Sequence, residues 1–403
     1  MQAYDKYKDS GIEWLGEIPE HWEVRKLKTA LKINNGLDYK HVQSDEGYPV
    51  IGSGGQFAYA SEFLYEGEVI LLGRKGSIDK PLYFNGRFWA VDTMFYCVPY
   101  ETVNARFLLY CAITIPFNYY STSTALPSMT QFDLNNHRLA FPPLHEQEAI
   151  ATFLDDKCGK IDEAVRIKQQ QIEKLKELRQ ITIHNAVTKG INPEAEMKDS
   201  GIDWIGEIPK HWEVKRLKYV FRILKRIANE LGHEVLSITQ KGIRVKDITT
   251  GEGQLAMDYS KYQLAYKGDF AMNHMDLLTG WADVSEYNGV ISPDYRVFEL
   301  INKTNIPVYF LHLLQDCYRN KTFYAHGQGV SMLGRWRFPT ENFNNFSFPI
   351  PPITEQKQIV SYLDAQTSKI DKASALKTEQ ITKLNEYKKS LINDVVTGKI
   401  KVA

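Results

Sequence analysis

Arg74 and Lys75 stand between two glycines, in Gly73-Arg74-Lys75-Gly76-Ser77, directly after the apolar run Glu68 to Leu72. Two cations on a glycine-flanked loop, with Ser77 and Lys80 close behind, suit contact with phosphate oxygens or base edges. A guanidinium matches guanine O6 and N7. The plain alternative is a charged hairpin. In the second half of the chain the comparable place follows Tyr266-Lys267-Gly268-Asp269-Phe270 and carries Asn273, His274 and Asp276 instead. Ser121-Thr122-Ser123-Thr124, with Ser121 and Ser123 as contact candidates, and Gly327-Gln328-Gly329 with Gln328 occupy matching places further on. Hydroxyl, amide and backbone N–H groups bond phosphates or bases, although such residues also make ordinary turns. Arg335 and Arg337 flank Trp336, and Lys241, Arg244 and Lys246 form another basic group. These too read either as nucleic-acid contacts or as solvated cations beside a core Trp.

Chemistry by the chain itself lacks its usual motifs. There is no G-x-x-x-x-G-K-[ST] loop, and Gly52-Ser53-Gly54-Gly55 has no following Lys. H-E-x-x-H and G-x-S-x-G are absent. The Asn/Asp-Pro-Pro-aromatic motif of adenine methyltransferases is approached only by Asn192-Pro193, Pro142-Pro143 and Pro351-Pro352, none with the right flanks. The ten histidines show no metal-ligand spacing. A non-catalytic reader fits this pattern. Lys plus Arg equals Asp plus Glu at 49 each, so the chain is not built to wrap nucleic acid unaided. Partner subunits could supply the rest of the field. Four cysteines without a CxxC pair point away from disulfides and structural zinc. No run approaches 18 apolar residues, and MQAYDKYKDSG lacks a leader pattern, so a cytoplasmic protein is expected, with no membrane partner.

The elements that would position these residues are announced by a repeat. Lys8 to Lys28 (KDSGIEWLGEIPEHWEVRKLK) returns as Lys198 to Lys218 (KDSGIDWIGEIPKHWEVKRLK), with 16 of 21 positions identical. PPLHEQ at Pro142 to Gln147 is answered by PPITEQ at Pro351 to Gln356. Between these echoes the halves diverge. Apolar residues then recur every three or four positions through two long polar segments: Ile150, Phe153, Leu154, Ile161, Val165, Ile172, Leu175 and Leu178, and Ile359, Leu363, Ile370, Ile381, Leu384, Leu391 and Val395. Gly159 is expected to interrupt the first helix. Ile161 to Thr188 alone would span about 42 Å as helix, close to one DNA turn of about 34–36 Å. Neither apolar stripe can remain in water, and the duplication favours the two arms packing on each other.

The expected architecture is therefore α+β: a mixed α/β domain over 1–145, a helical arm over 146–190, a second mixed domain over 191–354 and a second arm over 355–403. The arms pack as an antiparallel coiled coil, giving a pseudo-two-fold within one chain. Strands are expected over Glu68 to Leu72, Phe88 to Val98 and Tyr295 to Leu300, and helices over Ala105 to Ile113 and Pro307 to Cys317. Trp14, Trp22, Trp204 and Trp212 lie in the repeated frame and read as structural, because specificity should vary between halves. Arg25, Lys26, Lys28, Lys215, Arg216 and Lys218 read equally as phosphate contacts or solvated faces.

This frame resembles the specificity subunit of Type I restriction-modification systems along essentially the whole chain. The resemblance rests on Gly11-Ile12-Glu13-Trp14-Leu15-Gly16 with Ile18-Pro19-Glu20-His21-Trp22, its repeat at Gly201 to Trp212, and both Pro-Pro-x-x-Glu-Gln entries. Met272-Asn273-His274-Met275, Gly289 to Tyr295, and Gly327-Gln328-Gly329-Val330 ahead of Phe346 to Pro352 add to it. It implies two target recognition domains, each reading half of a bipartite, asymmetric double-stranded DNA site. The arms would set the spacing and dock two modification subunits, which use S-adenosylmethionine to methylate adenine N6. Two restriction subunits driven by ATP and Mg would complete the assembly, and this chain would bind no cofactor itself. Glu146, Gln147, Glu355 and Gln356, at the arm entries, are the candidate partner-interface residues. The competing readings are a coiled-coil adaptor whose domains bind no DNA, and a fused methyltransferase or nuclease.

Overall fold

The computed structural model describes residues 2–120, 127–248, 256, 258–329 and 336–402, with the side chains at 118 and 119 set aside. They form two compact units: Met1–Gln170 with Lys377–Ala403, and Gln171–Leu376. Both arms are helices, Leu144–Lys189 and Ile353–Val396, and each contributes to both units.

In the first unit a hairpin pairs Tyr7–Asp9 with Glu17–Pro19, and Glu23–Lys26 pairs with Arg138–Phe141, the strand that leads into the first arm. Among the described residues the main sheet has seven strands, in the order Leu31–Asn35, Met94–Pro99, Tyr65–Gly73, Leu82–Ala90, Tyr48–Gly52, Gly55–Ala60 and Gln43–Ser44. The Tyr48–Gly52 and Leu82–Ala90 strands run parallel; the other pairings are antiparallel. Val69 to Leu72 are buried on both faces, which explains why that run is continuously apolar rather than alternating. The expected single strand Phe88 to Val98 is two strands. The chain turns at 91–93, where Met94 N donates to Val91 O, and the long Tyr65–Gly73 strand lies between the two. Helix Ala105–Ile113 starts where expected, because the Asn104 side chain accepts from Phe107 N at 2.9 Å.

The second unit repeats the frame. Met197–Asp199 pairs with Glu207–Pro209, and Glu213–Arg216 pairs with Ser347–Ile350. Its larger described sheet orders Phe221–Leu224, Arg296–Leu300, Phe270–Met272 and Ala282–Val284. Helix Pro307–Arg319 follows, with proline in its first turn, where no N–H is missed.

Gly159 does not interrupt the first arm, which is one helix of 46 residues. A mid-helix glycine costs only about 1 kcal/mol, and burial of Leu154, Cys158 and Ile161 around it outweighs that. The arms pack against each other antiparallel. In the first unit Asp162 pairs with Lys388 and Lys168 with Gln380, so one number rises as the other falls. The unit core joins Ile150, Leu154 and Ile161 of one arm to Leu391, Ile392 and Val395 of the other. In the second unit Arg179 pairs with Asp371, the same pair in the other copy, since both residues are displaced by 209.

Candidate nucleic-acid interface

The repeated residues build the frame. Trp22 is fully buried, and its indole N–H donates to Glu146 Oε2 at 3.1 Å; His21 Nε2 lies 2.6 Å from Oε1. Trp212 and His211 meet Glu355 in the same way, at 2.9 and 2.6 Å. Gln147 accepts from Asn104 N and donates to Pro142 O, and Gln356 accepts from Ile306 N and donates to Pro351 O. The Pro-Pro-x-x-Glu-Gln motif thus ties the start of each arm to the globular part of its own unit. Glu146, Gln147 and Gln356 are buried and Glu355 is partly so. Their polar atoms are engaged inside the chain. The far end of each arm reaches the other copy of the frame. A side chain at Gly190 would press on Trp212, and one at Gly398 on Pro19 and Trp22. Each buried Trp is therefore held by the beginning of one arm and the end of the other.

On this frame the first unit presents the 74–80 loop. Arg74 N and Lys75 N both donate to Thr93 O, at 2.8 and 3.2 Å, so the 91–93 turn carries the loop. Gly76 N donates to Pro127 O, and Met129 N to Arg74 O, which brings in the segment ahead of helix Gln131–Asn136. Arg74 is half-buried over the Phe95 ring, whereas Lys75, Ser77 and Lys80 are exposed. Ser121 and Ser123 lie outside the described residues.

The second unit places Asn273 and His274 at the equivalent position: Phe338 N donates to His274 O as Met129 N does to Arg74 O, again just before a short helix, Thr340–Asn345. Gln328 and Arg337 are bridged through both backbone N–H groups, at 2.8 and 2.9 Å, and both are exposed. The glycines beside Gln328 have a physical cause: a Cβ on Gly327 or Gly329 would fall 2.5 Å from the Trp336 ring. Trp336 is a structural support, its N–H donating to Tyr324 O at 2.6 Å. Lys241 and Arg244 are exposed and Lys246 half-buried, on or just beyond the hairpin of Leu236–Thr239 and Gly242–Val245. Asp283 pins that hairpin to the sheet by accepting from Ile243 N, and Gln240 reaches Thr279 O at 3.4 Å. The basic hairpin therefore joins the 273–280 loop. Arg335 lies outside the described residues.

Burial, then Arg296 and Arg337 nearby, push the His274 imidazole down to about 3, so it stays neutral and cannot serve as a phosphate-binding cation. Arg296 carried no signal in the sequence. It is buried, donates to Phe338 O and Thr340 Oγ1 at 3.0 and 3.3 Å, and lies over the Phe343 ring. It holds the 338–340 segment from beneath. The two units thus carry the same loop-and-helix scaffold with different side chains displayed on it.

The profile of the family "Type I restriction modification DNA specificity domain" matches this chain twice, at residues 19–177 and 209–386. The chain belongs to this family. It is similar to the Type I restriction enzyme MjaVIII specificity subunit of Methanocaldococcus jannaschii, 24% identical over 100% of this chain and 98% of that one. It is also similar to the EcoBI specificity subunit of Escherichia coli, 22% identical over 97% and 89%. In fold, this specificity-domain chain matches a chain from a study of complex assembly and conformational transition of the type I R-M system, with a TM-score of 0.68 at 15% identity, covering 95% and 99%. It also matches the HsdS subunit from Thermoanaerobacter tengcongensis, at 0.51 and 15%, covering 95% and 98%.

The remaining frame tryptophans of this specificity-domain chain are also structural in placement. Trp14 stacks on His137 at 5.3 Å, and Trp204 stacks on Phe346 at 5.5 Å. Arg25 lies over Phe141 and donates to Thr29 O, Lys26 donates to Asn136, and Lys215 pairs with Glu213. No described helix is long and apolar enough to cross a membrane.

Proposed function

We propose that this chain reads double-stranded DNA for a Type I restriction-modification complex and does no chemistry of its own. Each unit reads one half of a bipartite, asymmetric site. In the first, Arg74, Lys75, Ser77 and Lys80 face the DNA, joined by Ser121 and Ser123. In the second, Asn273, Gln328, Arg337, Lys241, Arg244 and Lys246 do so, joined by Arg335. His274 contributes there as a neutral ring. The arms fix the gap between half-sites, and their exposed faces dock two adenine-N6 methyltransferase subunits. S-adenosylmethionine, ATP and Mg belong to those subunits and to two motor-nuclease subunits.

The observation that carries this reading is the equivalence of Arg74 and His274. One backbone arrangement is repeated, and the displayed chemistry changes from cationic to amide and neutral imidazole. A duplicated scaffold with different display is what two unlike half-sites require. Co-expression with the modification subunits, followed by genome-wide mapping of methylated adenine, tests it. Two fixed half-sites with a constant gap are expected. Random methylation, or none despite a stable complex, overturns it.

A further inference from the structure

Leu278 is an exposed apolar side chain on the 273–280 loop. It is 56% exposed, whereas its neighbour Leu277 is 1% exposed and donates its N–H to Trp336 O at 3.1 Å. The turn between them and Gly280 is fixed. Asp276 Oδ1 accepts from both Leu278 N and Thr279 N at 3.0 Å, and its Oδ2 accepts from the Thr279 hydroxyl. Gly280 closes the turn where a Cβ would lie 2.0 Å from Asp276 O. Around Leu278 the bonded neighbours lead to polar groups. Gln240 touches Thr279 from the hairpin that carries Lys241 and Arg244, and the Trp336 segment carries Arg337 and its partner Gln328. A single exposed leucine is commonplace on protein surfaces. A rigidly presented one, on a turn bonded to the segments that carry Arg244, Gln328 and Arg337, offers the apolar contact those groups cannot make. In the first unit the matching bond runs from Gly76 N to Pro127 O, and the next residue is the exposed Ser77, so the apolar display belongs to the second unit's loop.

We propose that Leu278 is a specificity-determining residue that packs on the C5-methyl group of a thymine in the major groove of the second half-site. The 5-methyl is the apolar feature that marks thymine in that groove. This inference rests on the reading of the second unit as a DNA reader and adds the base chemistry it selects.

The test uses the chain assembled with its modification subunits and duplexes carrying the mapped bipartite site. Each thymine of the second half-site is replaced in turn by uracil, which removes only the methyl group. Wild-type complex should lose about fourfold in affinity at one such position, the value of one buried methyl. Leu278→Ala should bind the thymine duplex several-fold more weakly and become indifferent to uracil at that position, while Leu278→Met keeps the sensitivity. Discrimination of the first half-site should be unchanged, which shows that the variant is folded. The inference is overturned if no thymine in that half-site is methyl-sensitive. It is also overturned if Leu278→Ala keeps the wild-type sensitivity, or if Leu278→Ala impairs subunit assembly without altering base preference. Failure of the underlying reading looks different: wild-type complex then shows no sequence-specific binding to any duplex.

Discussion

His137 offers a sharp test because the other copy of the frame has already replaced it. His137 O accepts from Leu27 N at 2.8 Å, and Phe346 O accepts from Leu217 N at 2.7 Å, so the two residues hold equivalent places. Each lies under its frame tryptophan, nearly parallel, at 14° and 17°. His137 is 2% exposed, its Nδ1 meets the Tyr120 hydroxyl at 2.8 Å, and its Nε2 has no partner among the described residues. Burial pushes its pKa from 6.5 down to about 4. On acidification the unfolded chain therefore takes up this proton first. The contribution to stability is complete above pH 6.5, falls between 6.5 and 4, and is fully lost below 4. Between pH 7.5 and pH 5 the loss works out at about 2 kcal/mol. His137→Phe should remove that loss. At pH 7.5 it should change stability by no more than about 1 kcal/mol, because the broken Tyr120 hydrogen bond is offset by the removal of an orphaned nitrogen. Urea unfolding of both proteins at the two pH values measures the difference, with other titrating groups cancelling. Equal acid sensitivity in the two proteins would refute the argument, as would an NMR titration placing the folded His137 imidazole near 6.5.

Further expectations follow from the frame and the reading loops. Glu146→Ala strands the Trp22 indole N–H and removes the His21 and Tyr4 contacts, so it should cost about 2–4 kcal/mol in unfolding experiments. Lys388→Ala breaks only a partly exposed pair with Asp162 and should cost under about 1 kcal/mol by the same measurement. Lys75→Ala should weaken DNA binding similarly on all sequences and lower the salt-dependence slope by about 0.9, read from affinities over a salt series. Gly329→Ala drives a Cβ into the Trp336 ring; it should cost about 1–3 kcal/mol and relax recognition of the second half-site alone, as seen in methylation mapping.

Much of the fold was legible because its signals are local or repeated. The three-and-four periodicity gave both arms, and the echo around Trp14 and Trp204 gave the frame. What escaped depends on residues distant in sequence. Nothing near Glu146 in the sequence marks it as the acceptor for Trp22, 124 positions earlier, which donates to it. The break at 91–93 is hidden in the run Phe88 to Val98 because the residues next to it on both sides, Phe88 to Val91 and Met94 and Phe95, are apolar and buried. Gly159 misled because propensity is a small term beside the packing of Leu154 and Ile161. In the reading loops, charge and glycine content marked Arg74, Lys75 and Gln328. Arg296 and Leu278 differ from core and surface residues only in what surrounds them, which composition does not record.

Lys401 N donates to Gln2 O at 2.8 Å, so the stretch that follows the second arm pairs with the stretch ahead of the first hairpin, within the first unit. The two stretches, from Gly398 to Lys401 and from Gln2 to Tyr7, together fill the place that the continuous stretch from Gly190 to Met197 fills in the second unit. The Trp22 anchor is therefore closed by two separate stretches of chain that meet through one backbone bond, whereas the Trp212 anchor is closed by a single continuous stretch.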